Sequence, residues 1–484
     1  MTIAIASPTN VFLDAAPLWV TYSAFPANSL HLDRISGYAQ DTWRATPNLT
    51  VTYGLRWLHA PSPRMVMEPN LYQVDTSNGQ VRYHTPAPGT PIWQARPVEL
   101  DPSAAVAWRV PGIRETILRM SWATVHDASF GVATDELNAT PYLQLRIPQG
   151  LVTPTTQFEA VSLGFGFARG LRLPVSRRWS VSLERSWTAH DQVSVSYLHL
   201  AGRGLLRREV DIMPAGGLGQ ISFASNDGAS TYHALALLYR RSLSAGLSVT
   251  ASYSWSHSID LGSADSALYL ISPHNLPAGD RGSSDFDVRL SVRGAVSYEI
   301  PGIRGSSVPL RVLGRLAGRW TIGALLTART GFPVDVLVSE SLNGFAVANY
   351  RPDLMPGVPL SEREQGVPNG YRLNAMAFGR TQEGIGGLGR NAVPGSGMWQ
   401  ADAAIERALL RRGSWGLTLR VEAYNVLNHP GFADPIRYLS NPLFGQSSAP
   451  LNLMMGSGSP SSGQAPAFQA GGPRSVQTSL RLNF

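Results

Sequence analysis

The feature that most constrains this chain is an alternation of apolar and polar residues with period two, repeated in segments of about ten residues. Leu247, Val249, Ala251, Tyr253 and Trp255 alternate with Ser248, Thr250, Ser252, Ser254 and Ser256. One side is wholly apolar and ends in two aromatics; the other is small and polar. The pattern returns in Val288, Leu290, Val292, Val296 and Tyr298 against Arg289, Ser291, Arg293, Ser297 and Glu299, with Gly294 on the apolar side. Trp415, Leu417, Leu419, Val421 and Ala423 alternate in the same way with Gly416, Thr418, Arg420, Glu422 and Tyr424. Similar strands read at 48–58, 178–187, 319–328 and 399–406, and weaker ones at 36–44, 104–110, 115–123, 191–199 and 232–241.

Successive strand side chains point to opposite faces, so each segment needs one apolar and one polar environment. A soluble sandwich and a membrane barrel both supply that. Three features select the barrel. Segments of about nine to eleven residues suit a tilted crossing of the bilayer, whereas sandwich strands average about five or six. Trp57, Trp179, Trp187, Tyr253, Trp255, Trp320, Trp399 and Trp415 cluster at strand ends, as interfacial girdles require. The polar faces carry Arg and Glu mid-strand, which suits a wet lumen. The expected fold is therefore all-β: a transmembrane antiparallel outer-membrane β-barrel, one domain over 1–484, with outer-membrane lipid against its apolar face.

Composition supports this class. Charged residues make up 15% of the chain, against about 25% in soluble domains. The absence of cysteine excludes a disulfide scaffold and Cys-based zinc or redox sites. The net charge of +7 invites a nucleic-acid reading, but all 40 basic residues are arginine, which a codon bias toward Arg, Ala, Gly and Pro explains. They form no blocks interleaved with stacking aromatics, so nucleic acid is not an expected partner. No run of roughly 18 apolar residues marks a transmembrane helix. The start, MTIAIASPTNVFLDAAP, lacks the basic end and long apolar core of a signal peptide, so the expectation is a truncated N-terminus.

The stretches 61–100, 125–156, 259–285, 339–397 and 430–473 are rich in Gly, Pro, Asn and Ser and read as long loops. Barrels carry long loops outside and short turns on the periplasmic side. Segments 125–156, 259–285 and 339–397 are thus expected outside, and the links near 46–48, 188–190 and 410–413 in the periplasm. Segment 455–472 is low-complexity. At the chain end, Val476, Thr478, Leu480, Leu482 and Phe484 share one face, and Ser475, Gln477, Ser479, Arg481 and Asn483 the other. A last strand ending in an aromatic resembles the signal read by the barrel-assembly machinery; the alternative is an ordinary strand that ends in Phe.

Two stretches resemble the TonB-dependent receptors, and within them the Oar-like branch. ISGYAQDTWRATPNLTVTYGLRW, at 35–57, resembles that family's YAQD-x-W strand pair. The stretch 384–435 resembles the branch's GRN turn followed by a strand ending in E-x-[FY]-N-[LV]-x-N-H-P. Its motif positions here are Gly389, Arg390, Asn391, Glu422, Tyr424, Asn425, Asn428, His429 and Pro430. DFDVRLSVRGAVSYEIPG, at 285–302, fits the strand between them, with only Asp287–Arg289 in place of a DxRHR-like start. The resemblance implies a barrel of about 22 strands whose N-terminal plug engages an inner-membrane energy-coupling (TonB) complex. It implies that this chain is the C-terminal two-thirds of the barrel, about 12–16 strands, without plug, coupling box or first strands. Alone it would leave two unpaired edges in lipid.

Other chemistries fit poorly. The letters of GIGGLG (Gly384, Gly386, Gly389) match a dinucleotide fingerprint, but no strand precedes them and no helix follows, so a turn is expected. The ten histidines are scattered without ligand spacing, and His429 reads as a turn residue of Asn-His-Pro. No serine lies in a G-x-S-x-G elbow. Glu299, Glu406 and Glu422 lie on polar strand faces and are expected to pair with Arg293, Arg407 or Arg420. Asp280, Asp285 and Asp287, near Asn275, read as a solvated acidic loop before they read as a Ca²⁺ site. No catalytic residue, cofactor or metal is expected. The function expected is a receptor or transporter for a glycan, peptide or chelate that nothing in the sequence selects. A passive porin-like or adhesin barrel is the second reading, and a secreted carbohydrate-active all-β protein the third.

Overall fold

The computed structural model describes residues 2–4, 18–22, 30–65, 71–76, 81–87, 89–92, 96, 98–128, 137, 142–147, 159–212, 219–263, 277–301, 320–342, 346–379, 386–447 and 471–484. Thirteen of its strands form one antiparallel meander in chain order. They are β1 (Ile35–Thr46), β2 (Leu49–His59), β3 (Glu99–Arg109), β4 (Thr116–His126), β5 (Val175–Ser186), β6 (Asp191–Ile212) and β7 (Gln220–Ser244). The meander continues through β8 (Leu247–Asp260), β9 (Leu290–Glu299), β10 (Trp320–Arg329), β11 (Met398–Arg412), β12 (Trp415–Tyr424) and β13 (Ser475–Asn483). Each pairs with the next along the chain. Among the described residues β1 pairs only with β2 and β13 only with β12, so the wall is open at both edges.

The links alternate strictly between the two ends of the wall. Residues 47–48, 110–115, 187–190, 245–246 and 413–414 turn at one end, where the longer link between Glu299 and Trp320 also leaves, and the remaining links leave from the other. A register shift between Ala408 and Leu410 carries the β11–β12 turn slightly beyond the expected 410–413. The turn between β7 and β8 needs two left-handed residues, Ala245 and Gly246, the geometry that lets a two-residue link follow the strand twist.

The apolar faces point outward and stay uncovered. Trp255 is 57% exposed, Val296 40%, Ile322 44% and Leu480 63%. A sandwich would bury such residues between two sheets; here they form a continuous outer band for lipid. The packed cores lie beyond the end of the wall that carries the long loops. Val334, Val336, Leu373, Ala377, Phe378, Leu388, Val393 and Phe444 make one. Leu71, Leu137, Phe165, Phe167 and Leu171 make another, and Val74, Ile221 and Phe223 contribute to a third.

Three things differ from the sequence expectation. First, β6 and β7 run to 22 and 25 residues, where 191–199 and 232–241 had read as strands. Their upper halves lack alternation because both faces are packed outside the bilayer: Ile221, Ser222, Phe223, Ala224 and Ser225 are all buried. Second, the stretches read as loops contain strands at Tyr72–Asp75, Arg82–His84 and Tyr142–Ile147. Third, not every pairing is antiparallel. Glu159–Ala168 runs parallel to both upper β7 and Tyr72–Asp75. It also pairs with Tyr142–Ile147, which reaches Leu18–Tyr22 and Thr2–Ala4 beyond.

Candidate functional site

The inner face of the wall is small and polar where it crosses the membrane. Ser121 and Ser180 hydroxyls meet at 2.7 Å across β4 and β5, and β8 presents Ser248, Thr250, Ser252 and Ser254. Toward β9–β12 the wall hollows into a recess of about 430 Å³ that includes Ser297, Thr321, Glu406, Arg420, Glu422 and Tyr424. Arg420 donates to Glu406 at 3.0 Å and to Glu422 at 2.8 Å. The expected pairing of these carboxylates with Arg420 is therefore present. Arg407, the other candidate, is on the opposite face with its guanidinium 5.1 Å above the Trp320 ring. Two carboxylates sharing one guanidinium leave the recess acidic, and its charges are partly exposed to the lumen, Glu406 at 40% and Glu422 at 24%. Such a surface can bind cationic or hydroxyl-rich groups through charge-assisted hydrogen bonds.

Above the recess the long loops are tied together by three buried arginines. Arg390 donates to Asp260, to Ser263 Oγ at 3.1 Å and to the Ser283 carbonyl at 3.0 Å. Arg207 bridges Glu209 at 2.9 Å and Asp280. Arg351, 2% exposed, donates to Asp280 at 2.7 Å and to the Gly279 carbonyl at 3.0 Å. Asn391 sits at φ 54°, and its side chain donates to the Ser283 carbonyl at 2.7 Å and to Asp285 at 2.6 Å. These bonds join upper β6, the β8–β9 segment and the β10–β11 segment. Breaking a buried ion pair strands a desolvated charge, so the network ties these segments to one another, although Arg207 Nη1, Arg351 Nε and Arg390 Nε have no hydrogen-bond partner among the described residues.

The motif positions of the sequence fall on this lock and on the rim beside it. Arg390 and Asn391 are in the lock, with Gly389 exposed just before them. Glu422 and Tyr424 line the recess. Asn425 and Asn428 adopt φ 48° and 50°, a left-handed backbone that asparagine tolerates better than most residues. Asn425 accepts from the His429 amide at 2.9 Å, and its side-chain amide donates to the His429 and Gly472 carbonyls at 2.8 Å each. Asp402 accepts from the Asn425 amide at 2.7 Å, and Asn428 from the Arg474 amide at 3.2 Å. The motif thus ties the end of β12 to β11 and to the start of β13. His429 stacks on Trp399 with ring centres 4.2 Å apart, and Pro430 is exposed.

The strand-end aromatics divide into two levels. Trp57, Trp179, Tyr253, Trp255 and Trp399 stand toward the long loops, and Trp187, Trp320 and Trp415 at the short turns. Seven of the eight are at least 36% exposed, and Trp320 is half-buried under Arg407. Val476, Thr478, Leu480, Leu482 and Phe484 are together on the outward face of β13, with Phe484 87% exposed and its ring centre 5.9 Å from that of Trp415.

The acidic group at 280–287 is engaged by its neighbours. Asp280 takes Arg207 and Arg351, Asp285 takes Asn391, and Asp287 takes His257 at 3.0 Å and Arg289 at 3.1 Å. Among the described residues no three metal-ligating side chains cluster. Asn275, Gly384 and the low-complexity stretch up to 470 fall outside the described residues. Gly386 packs where a Cβ would sit 2.3 Å from the Pro352 carbonyl carbon, its amide donates to the Arg351 carbonyl, and the described residues that follow it turn without forming a helix.

Sequence reasoning missed Arg207, Glu209 and Arg351, because the contacts of Arg207 and Arg351 with Asp280 join residues far apart in the chain. Glu209 lies on upper β6, beyond the membrane-crossing part. Burial pushes its carboxyl up to about 7 despite the pull of Arg207; Asp227 and Asp280 push the same way, and Ser225 pulls back. A folded-state value above the ordinary 4.5 means stability that is full below pH 4.5 and lost as pH rises through about 7. The loss is at most about 3 kcal/mol. The protection of amides at 205–212, with the intrinsic pH dependence of exchange divided out, is accordingly expected to fall between about pH 4.5 and 7, and Glu209→Gln to abolish that fall. Protection in the parent protein that does not change over this range would refute it.

The family model described as "Outer membrane beta barrel domain" matches residues 9–454. No curated protein matches the chain. Among solved structures, the siderophore receptor PiuA from Acinetobacter baumannii is 11% identical with a TM-score of 0.46, over 95% of this chain and 44% of that one. The ferric enterobactin receptor PfeA from Pseudomonas aeruginosa is 11% identical with a TM-score of 0.48, over 93% of this chain and 45% of that one. The chain spans less than half the length of either.

Proposed function

The chain belongs to the outer membrane β-barrel domain family, and on that premise we propose that it is the ligand-gathering wall of a receptor of the TonB-dependent type rather than a catalyst or a passive pore. It is a protein of the outer membrane of a Gram-negative-type cell. The observation that carries the receptor reading is the lock formed by Arg207, Arg351 and Arg390, which ties the long segments at one end of the wall into a folded assembly. A passive pore needs loops that keep the lumen clear; a receptor needs loops that form one defined surface and can be released from it. The motifs at 35–57 and 384–435 support the same reading, and with it engagement of an inner-membrane energy-coupling complex through a plug. The ligand class is a glycan, peptide or chelate, with cationic or hydroxyl-rich groups favoured by Glu406 and Glu422. The two open edges support a further part of the reading, that this wall of thirteen strands is completed by others, since bare backbone edges in lipid are unfavourable.

Planar-bilayer conductance tests this. The protein extracted in detergent from its native outer membrane should give no steady ohmic channel in potassium chloride. A stable open conductance would overturn the receptor reading in favour of the passive barrel.

A further inference from the structure

Three of the ten histidines, 34 and 24 residues apart in sequence, stand side by side on the outward face. His199 of β6 is directly opposite His233 of β7, and His233 directly opposite His257 of β8. The same row continues the other way through Trp179 and Trp122, so the histidines lie at the level of the aromatics toward the long loops, where the outward band meets the headgroup layer. His257 is held by Asp287 and Arg289. His199 and His233 instead face one another, ring centres 4.5 Å apart and Nδ1 atoms 3.3 Å apart, while the Tyr197 hydroxyl lies 2.6 Å from the same His233 Nδ1.

That arrangement asks too much of one atom. An imidazole nitrogen carries either one hydrogen or one lone pair in the ring plane. It can satisfy the Tyr197 hydroxyl or His199, not both. A metal ion accounts for the close approach of the two nitrogens, because it accepts both lone pairs at once, and the Tyr197 hydroxyl then turns to the ion or to water. Two nitrogens bound to one tetrahedral ion at about 2.05 Å each are separated by about 3.3 Å, which matches the observed spacing. We propose that His199 and His233 form a binding site for a borderline divalent transition ion of the zinc, nickel or copper class, on the outward rim of the barrel, with the Tyr197 hydroxyl beside it. Imidazole donors select such ions over Mg²⁺ and Ca²⁺, which prefer oxygen. Two protein ligands leave further positions on the ion open to water or to anions of the headgroup layer.

Copper(II) bound to the full protein in detergent is the probe. Its electron paramagnetic resonance spectrum should show splitting from two equivalent nitrogens. His199→Tyr and His233→Tyr should each remove that signature and weaken copper binding by at least roughly tenfold, since loss of even an outer-shell partner costs that much. Tyrosine suits the girdle, so both variants should still run as folded protein in unheated gels. His257→Gln should leave the signature intact. Zinc should also raise the parent's melting temperature, as any ligand of the folded state does, but not that of either tyrosine variant. The proposal is overturned if the parent shows no two-nitrogen signal, or if the signal survives both tyrosine substitutions. A tyrosine variant that fails to fold leaves the zinc shift of the parent against His257→Gln to decide, and absence of a shift in both refutes the site.

Discussion

Replacing Arg390 by methionine is expected to release the outer loops while leaving the membrane wall intact. The side chain is 6% exposed and reaches three partners on two other segments. Methionine fills the space but leaves the buried Asp260 carboxylate, among the described residues, with the Gly262 amide and Ser263 hydroxyl as donors. Removing one member of a buried pair costs about 3–5 kcal/mol, because the remaining charge stays desolvated without its counter-ion. That exceeds the stability of a typical loop subassembly, which opens at a fraction of the global free energy. Limited proteolysis of intact cells should therefore cut 339–397 in Arg390→Met far faster than in the parent, with the gel mobility of the folded barrel unchanged. Arg390→Lys should keep more of the protection, since all three contacts are made by the one Nη2 nitrogen and an ammonium also carries its donors on one nitrogen. Pairing Arg390→Met with Asp260→Asn should recover part of the protection, by removing the orphaned charge. Equal cleavage of parent and Arg390→Met would show that the lock contributes nothing.

Phe484→Ala should cut the amount of barrel inserted in cells, yet change little once the barrel is formed. The side chain is 87% exposed with its ring beside that of Trp415, so the direct loss is modest, on the order of 1–3 kcal/mol. Refolding in detergent, where no assembly machinery acts, should tolerate it. If the outward face of β13 is the signal that machinery reads, membrane yield in cells should fall sharply, with degraded or aggregated material in the periplasm. Leu482→Ala should behave likewise and Asn483→Ala, on the inner face, should be mild. Insertion equal to the parent, or equal failure in both assays, would make Phe484 an ordinary strand end.

How far the sequence could be read followed from where each residue's environment is decided. In the membrane that environment is set by two solvents, lipid and water. The polarity of each residue therefore announces its face, and Leu247 to Ser256 declare β8 without any knowledge of its neighbours. The strand positions read from alternation all lie on the thirteen-stranded wall. Outside the membrane both faces of a strand pack on protein, and alternation is lost. Upper β7, from Gln220 to Ser225, and the parallel strand Glu159–Ala168 were therefore invisible. The lock was half legible: Arg390 and Asn391 stood in a motif, whereas Arg207 and Arg351 depend on contacts between segments more than 70 residues apart. The histidine pair escaped for the same reason, since spacing along a chain says nothing about register between strands.

The β6–β7 hairpin has a mechanical meaning. Its ladder runs from the short turn, through the membrane, to the top of the loop assembly, and is interrupted only between Arg203 and Arg207. At that joint Gly204 is left-handed at φ 58°, and a Cβ on Gly228 would lie 2.6 Å from the Leu205 carbonyl oxygen. A mast continuous with the hull cannot slide in its step; it can only flex at the joint. A sideways load on the outer tip therefore becomes a bend at the deck line, and the wall beneath keeps its register.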